Sequence, residues 1–134
     1  MEEVTAKRGV EVDLVIPRRT NFRVMDWAMR PQLRFLVEAG CRVHLSPPPF
    51  DHSKLFVVDD CWALIGSTNW DARSLRLNFE YNVECYDPEL ARRLRSLVVQ
   101  RVARSRQVTV EKVRKRPVPL RLRDGLARLF APYL

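Results

Sequence analysis

His52-Ser-Lys-Leu-Phe-Val-Val-Asp-Asp-Cys-Trp-Ala-Leu-Ile-Gly-Ser-Thr-Asn69 is the stretch on which the reading of this chain turns. Its middle holds two apolar runs, Leu55–Val58 and Trp62–Ile65, joined by Asp59-Asp60, the pattern of a tight hairpin of two core strands. His52 and Lys54 stand two apart on an extended segment and share a face, so an imidazole and an ammonium can meet one phosphate together. Lysine neutralises anionic oxygens, and histidine can attack phosphorus or move a proton near neutral pH. Gly66 permits a tight strand exit, after which Ser67 and Asn69 offer short hydrogen-bond donors to the same oxygens. The set describes a phosphate cradle built without metal ligands. Asp59, five residues beyond Lys54, falls at the far end of the strand and is assigned a structural role in the turn.

Upstream, Val10–Ile16 starts as an alternation and ends in an apolar run, which suits a strand entering a buried sheet and closed by Pro17. Thr20 or Asn21 can cap a helix carrying Val24, Trp27, Ala28 and Met29 on one side; Pro31 either kinks it or begins a second segment. Leu33, Leu36 and Val37 continue the apolar face, and Gly40 is a plausible left-handed stop. Arg42–Leu45 reads as a short strand, and Pro47-Pro48-Pro49 can only be loop. Downstream, Val83–Tyr86 reads as a strand. From about Pro88 a helix carries Leu90, Leu94, Leu97, Val98 and Val102 at helical spacing, with arginines opposite. The order predicts an α/β fold, a mixed sheet covered by helices. His44 reads as a satisfied structural histidine, Asp51 points away from His52, and Phe56, Trp62 and Trp70 read as core, with Trp70 also placed to line an acyl or glycerol pocket.

The 134 residues suit one domain, and no segment approaches the roughly 20 uninterrupted apolar residues that cross a bilayer. The acidic start, Met1-Glu-Glu, is unlike a secretory signal, so the expected place is the cytoplasm. Cys41, Cys61 and Cys85 are odd in number and widely spaced, and read as reduced core thiols. The net charge of +8 is unevenly spread: residues 1–90 carry 11 Lys+Arg against 14 Asp+Glu, and residues 91–134 carry 13 against 2. All of the positive excess therefore lies in the last third, which points to an anionic partner, nucleic acid or anionic lipid. The division expected is a domain over 1–108 and a basic amphipathic tail over 109–134, in which Leu120, Leu122, Leu126, Leu129 and Phe130 alternate with arginines.

The spacing His52-x-Lys54, Asp59, Gly66-Ser67-x-Asn69 resembles the HKD signature of the phospholipase D superfamily. The likeness extends to Lys7–Val10 with Leu14–Pro17, Leu36–Gly40, Ala63–Asn69, Arg73–Glu80 and Tyr86–Leu90, which look like the carboxy-terminal half of bacterial cardiolipin synthases. The Pro47-Pro48-Pro49 lead-in is unlike that family's usual aromatic and glycine one. The resemblance implies a phospholipase D-like α-β-α sandwich with a basic helical appendage. It also implies that Glu80, which follows Gly66-Ser-x-Asn69, hydrogen-bonds the catalytic imidazole of His52 and fixes its tautomer; a surface salt bridge is the alternative for Glu80.

The activity implied is phosphatidyl transfer through a phosphohistidine intermediate, without a cofactor. One histidine attacks a phosphatidyl group while its partner protonates the departing glycerol oxygen, then deprotonates the incoming hydroxyl. Two phosphatidylglycerols give cardiolipin and glycerol. As the second motif of such an enzyme, His52 takes the acid/base role. The family pairs two motifs and this sequence carries one, so the implied partner is a second HKD half, from a homodimer mate or a separate first-half chain. The tail suits peripheral contact with the inner face of the cell membrane, or a helix packing its leucines on the core. The rival reading is a dimeric phosphodiesterase acting on nucleic acid; an inactive fragment serving assembly or membrane binding is the third.

Overall fold

The structure, a computed structural model, describes residues 9–20, 23–49, 52–69 and 78–130. Asn21, Asp51 and Trp70, the tract 70–77 and the side chain of Phe130 lie outside the described residues. The chain forms two compact units: one from residues 1–50 with 104–134, the other from 51–103.

In the first unit, β1 (Asp13–Pro17) and β2 (Arg42–Ser46) pair in parallel, Asp13 opposite Arg42 and Pro17 opposite Ser46. Parallel neighbours need a crossover, and α1 (Arg23–Glu38) supplies it. The helix runs through Pro31 without a break, where the sequence left a kink or a restart open. Its apolar face continues across the proline, with Ala28 and Leu33 both buried, and that packing outweighs one missing N–H. Gly40, at φ 99°, ends α1: its N–H reaches the Val37 carbonyl at 3.2 Å and the Cys41 N–H reaches Leu36 at 3.0 Å, a Schellman stop. Leu33, Cys41 and Val43 form the core, with Leu14, Ile16, Leu36 and Val108 packed around them.

Two elements here were not foreseen. β6 (Arg106–Gln107) pairs antiparallel with His44 and Leu45, and α3 (Val110–Arg114) follows it. Two residues of strand and five of helix are too short to show a period. The tail's α4 (Val118–Phe130) packs against α1. It does so on an unexpected face: Asp124 and Ala127 are buried, while Leu122, Leu126 and Leu129 stand 60–70% exposed. Asp124 accepts from Arg116 and from Arg123, each through a charged contact of 2.7–2.8 Å, and Arg123 also lies 4.3 Å over the Trp27 ring. The ion pairs lie within the tail itself, and the charged contacts that reach α1 are those of Arg123 over Trp27 and of Arg128 over the Phe35 ring, 5.9 Å from its centroid.

A charged cluster at the start of β1 and β2, around the buried His44, makes the first unit sensitive to acid. His44, 7% exposed, lies 2.9 Å through Nε2 from Asp13 Oδ1, while Arg42 donates to both Asp13 oxygens at 2.9 and 2.7 Å. The Arg42 bonds, with the His44 bond, hold the Asp13 carboxyl below its ordinary value. A carboxyl depressed in the folded state stabilises the fold above its unfolded value, near pH 4, and that gain is lost as the pH falls through the folded value. Asp13→Asn is therefore expected to lower stability at pH 7 and to flatten the loss of stability below about pH 4. Denaturant midpoints from pH 2.5 to 7 check this; an unaltered acid slope in the variant would refute it.

The second unit is an antiparallel sheet in the order β3-β4-β5, formed by Lys54–Val58, Trp62–Gly66 and Asn82–Cys85. The described strands thus divide into two three-stranded sheets, where the sequence suggested one sheet. Pro47, Pro48 and Pro49 offer no N–H to a ladder, so strand pairing stops between β2 and β3. Asp59 and Asp60 adopt φ of 47° and 56°, and the Cys61 N–H closes the turn on the Val58 carbonyl at 3.1 Å. Aspartate tolerates this left-handed backbone better than most residues, which matches the residues to a primed hairpin turn. Phe56 and Trp62 meet edge to face, centroids 5.8 Å apart.

α2 (Pro88–Arg104) starts with Asp87, whose Oδ1 accepts from the backbone N–H of Glu89 and Leu90 at 2.8 and 3.2 Å, with proline as the first helical residue. Arg95 reaches from this helix to Asp60 at 2.7 Å. No disulfide joins the cysteines, but only Cys41 is a buried thiol: Cys61 is exposed in the hairpin turn, which corrects its reading as core. Among the described residues, no helix is long and apolar enough to cross a membrane.

Candidate functional site

The register of the second sheet gathers most of the cradle at one end. Lys54, first in β3, stands opposite Gly66, last in β4, and Gly66 stands opposite Asn82, first in β5. Directly opposed residues share a face. Continuing each chain outward by two residues reaches His52, Thr68 and Glu80, which thus leave the sheet at the same end. The chemistry-bearing residues thus come from three adjacent chain ends.

Gly66 is required by close approach. A Cβ there would overlap the Asn82 side-chain oxygen and stand 2.7 Å from the Tyr81 carbonyl. No side chain fits between strands this close. Beyond Gly66 the chain is fastened to the segment before β5. The Ser67 N–H donates to the Tyr81 carbonyl at 3.0 Å, and the Tyr81 N–H donates to Ser67 Oγ at 3.0 Å. The Ser67 hydroxyl in turn donates to Glu80 Oε2 at 2.5 Å. Asn78 Nδ2 donates to the other oxygen, Oε1, at 3.4 Å, so the carboxylate is held from both sides. The Asn82 amide donates to Thr68 Oγ1 at 2.7 Å, which bonds back to Asn82 Oδ1 at 3.0 Å.

His52 is exposed immediately before β3, and Lys54 Nζ donates to the His52 carbonyl at 2.5 Å. The ammonium is therefore folded back toward the histidine. Asn69 is exposed, two residues past Ser67. Asp59 lies in the turn at the opposite end of the hairpin, five residues from Lys54 and about 16 Å along the strand. His44 belongs to the first unit, bonded to Asp13.

Sequence reading missed Thr68, Asn82 and the exposed aromatics beside Glu80. Phe79 is fully exposed and Tyr81 77% exposed. Asn82 was findable as a polar residue two positions beyond Glu80, at the start of the strand the sequence placed at Val83. Also unforeseen was a cleft of about 210 Å3 that Lys54 and Gly66 help to line, walled further by Leu55, Ile65, Leu94 and Leu97.

An ammonium, a hydroxyl and an amide lie at one sheet end, with a carboxylate fixed next to them.

The family described as "Cardiolipin synthase, PLD-like domain" matches residues 1–101. Cardiolipin synthase 1 of Staphylococcus epidermidis is 36% identical over 132 residues, covering 98% of this chain and 27% of that protein. The major cardiolipin synthase ClsA of Bacillus subtilis is 36% identical over 126 residues, covering 94% and 26%. The chain spans about a quarter of the length of the curated relatives it matches. Among solved structures, Nuc, a phospholipase D family member from Salmonella typhimurium, superposes with a TM-score of 0.66 at 22% identity, covering 80% of this chain and 70% of that one; this is a likeness of fold.

Proposed function

The chain belongs to the cardiolipin synthase, phospholipase D-like domain family, and from that premise we propose that it carries one half of a phosphatidyl-transfer site working through a phosphohistidine. Lys54, Ser67 and Asn69 hold the phosphate oxygens, and His52 is the acid/base. The nucleophilic imidazole comes from a second HKD half, supplied by a homodimer mate or a separate first-half chain. Its nitrogen bonds to phosphorus of phosphatidylglycerol as the P–O bond to glycerol breaks, and His52 gives its proton to the glycerol oxygen. His52 then takes the proton of the incoming hydroxyl, whose oxygen displaces the imidazole. A second phosphatidylglycerol as acceptor yields cardiolipin; water yields phosphatidic acid.

Glu80 is proposed to orient His52. What supports this is that His52 precedes β3 and Glu80 precedes β5 by two residues each, at the same end of one sheet. Asp59 keeps the structural role of shaping the hairpin, and Gly66 that of admitting Asn82. The observation that carries the whole reading is the Ser67–Glu80 bond beside the Lys54–Gly66–Asn82 row.

The tail is proposed to lie on an anionic membrane on the cytoplasmic side. Val118, Leu122, Leu126 and Leu129 are exposed at helical spacing along α4, with Arg121 and Arg128 on the same helix. Each arginine near an anionic surface adds about 1 kcal/mol of attraction, and exposed leucines fit an acyl boundary better than a phosphodiester backbone.

One assay separates the substrates. The chain, alone and mixed with a first HKD half, is incubated with phosphatidylglycerol vesicles, phosphatidylcholine vesicles and single-stranded DNA. Sedimentation with the anionic vesicles only, and cardiolipin or phosphatidic acid formed from them, are the expected results. DNA cleavage without lipid turnover would reverse the assignment.

A further inference from the structure

Asn82 is not among the residues assigned to the phosphate, yet it stands on the sheet face that Lys54 uses. Lys54 is directly opposite Gly66, and Gly66 directly opposite Asn82, so the three share one face. A Cβ built on Gly66 would overlap Asn82 Oδ1, which means that this oxygen fills the side-chain position of residue 66. Directly opposed Cβ positions stand about 5 Å apart, and glycine at 66 puts no side chain of its own between Lys54 and the Asn82 carbonyl oxygen. The amide is exposed, and among the described residues its side-chain bonds go to Thr68 alone. Nδ2 donates to Thr68 Oγ1 at 2.7 Å, and the Thr68 hydroxyl returns to Oδ1 at 3.0 Å. One amide N–H and further lone pairs on both oxygens are left over. Thr68 follows β4 at the sheet end where His52 precedes β3.

The chemistry of this pair differs from that of the cradle. An acceptor oxygen on the Lys54 side repels phosphate oxygens, which only accept, and attracts a hydroxyl, which donates; the spare amide N–H can then serve a hydroxyl oxygen. We infer that Asn82 and Thr68 read the hydroxyls of a glycerol headgroup whose phosphate lies on Lys54, and so select a polyol over a plain alcohol or water. This rests on the phosphatidyl-transfer reading. There the departing glycerol and the incoming headgroup present a glycerol hydroxyl to His52 in turn, so one reader serves both halves of the reaction. The pair moves no proton; it sets which alcohol is held beside the phosphate. Gly66 is thereby needed for selectivity as well as for packing, since a side chain there would evict the Asn82 carbonyl.

NMR titration of the full chain with glycerol 3-phosphate and with n-propyl phosphate, equal in chain length but without the hydroxyls, tests the reader without requiring turnover. Glycerol 3-phosphate is expected to bind about tenfold more tightly, the worth of two exposed hydrogen bonds. It is also expected to shift the Asn82 side-chain amide resonances, which n-propyl phosphate leaves in place. Thr68→Val, close in shape, and Asn82→Ala are each expected to bring the ratio down to about threefold or less, the loss falling on glycerol 3-phosphate. Denaturant midpoints check that both variants fold, and the resonances of the natural chain need no variant at all. Equal affinity for the two probes in the natural chain, or Asn82 resonances that respond alike to both, overturns the reader while the cradle stands. Binding of n-propyl phosphate that Lys54→Gln does not weaken overturns the cradle, and the reader with it.

Discussion

His52→Ala is expected to reduce phosphatidyl transfer by at least about a thousandfold while leaving the fold intact. General acid–base catalysis alone contributes about 10²–10⁴-fold. Loss of His52 also removes the proton needed by the departing glycerol oxygen and the base needed by the acceptor, so both halves of the reaction stall. The structural cost is small because the side chain is exposed ahead of β3 rather than packed within it. Release of glycerol from radiolabelled phosphatidylglycerol, measured beside the denaturant midpoint, separates the two effects. Turnover retained with an unshifted midpoint would remove His52 from the chemistry; a midpoint shift of the same scale as the activity loss would make the residue structural.

The hairpin and the residues it carries were legible because several signals coincide there. Two short continuous apolar runs, an Asp-Asp turn and a glycine before Ser67 all demand the same two strands, and β3, β4 and their turn appear where expected. The helix stop at Gly40 and the start at Pro88 were read from single residues whose backbone preferences leave little choice. The division into two sheets was not legible, since strand pairing across a proline loop depends on contacts far apart in sequence. The docked face of α4 was hidden for another reason. Its leucine pattern marks an apolar stripe, but the helix buries the side carrying Asp124, which is paired with Arg116 and Arg123 of the tail itself, and Arg123 in turn lies over Trp27 of α1. Hydrophobic periodicity locates a stripe; it does not show that a buried charge can be paired by arginines of its own segment.

Within the site, the sequence revealed the residue types but not how tightly the three chain ends are laced together, and Gly66 measures that lacing. Gly66→Ala is expected to destabilise the chain by about 3 kcal/mol, the upper range for inserting a methyl where there is no room. Two obstacles meet the new Cβ, the Asn82 side chain and the Tyr81 carbonyl at 2.7 Å. They differ in how they can yield. Asn82→Ala removes the first, so the double variant is expected to recover part of the loss; the carbonyl belongs to the backbone that also accepts the Ser67 N–H, and it cannot retreat without breaking that bond. Part of the cost is therefore expected to remain, and with it a displaced Ser67 that no longer donates squarely to Glu80. Phosphate affinity is the second readout. It is expected to stay low in the double variant even where the midpoint has partly recovered, because the cradle depends on the strand separation and the fold only partly does. Full recovery of both quantities by Asn82→Ala would show that Gly66 serves only to make room for one side chain.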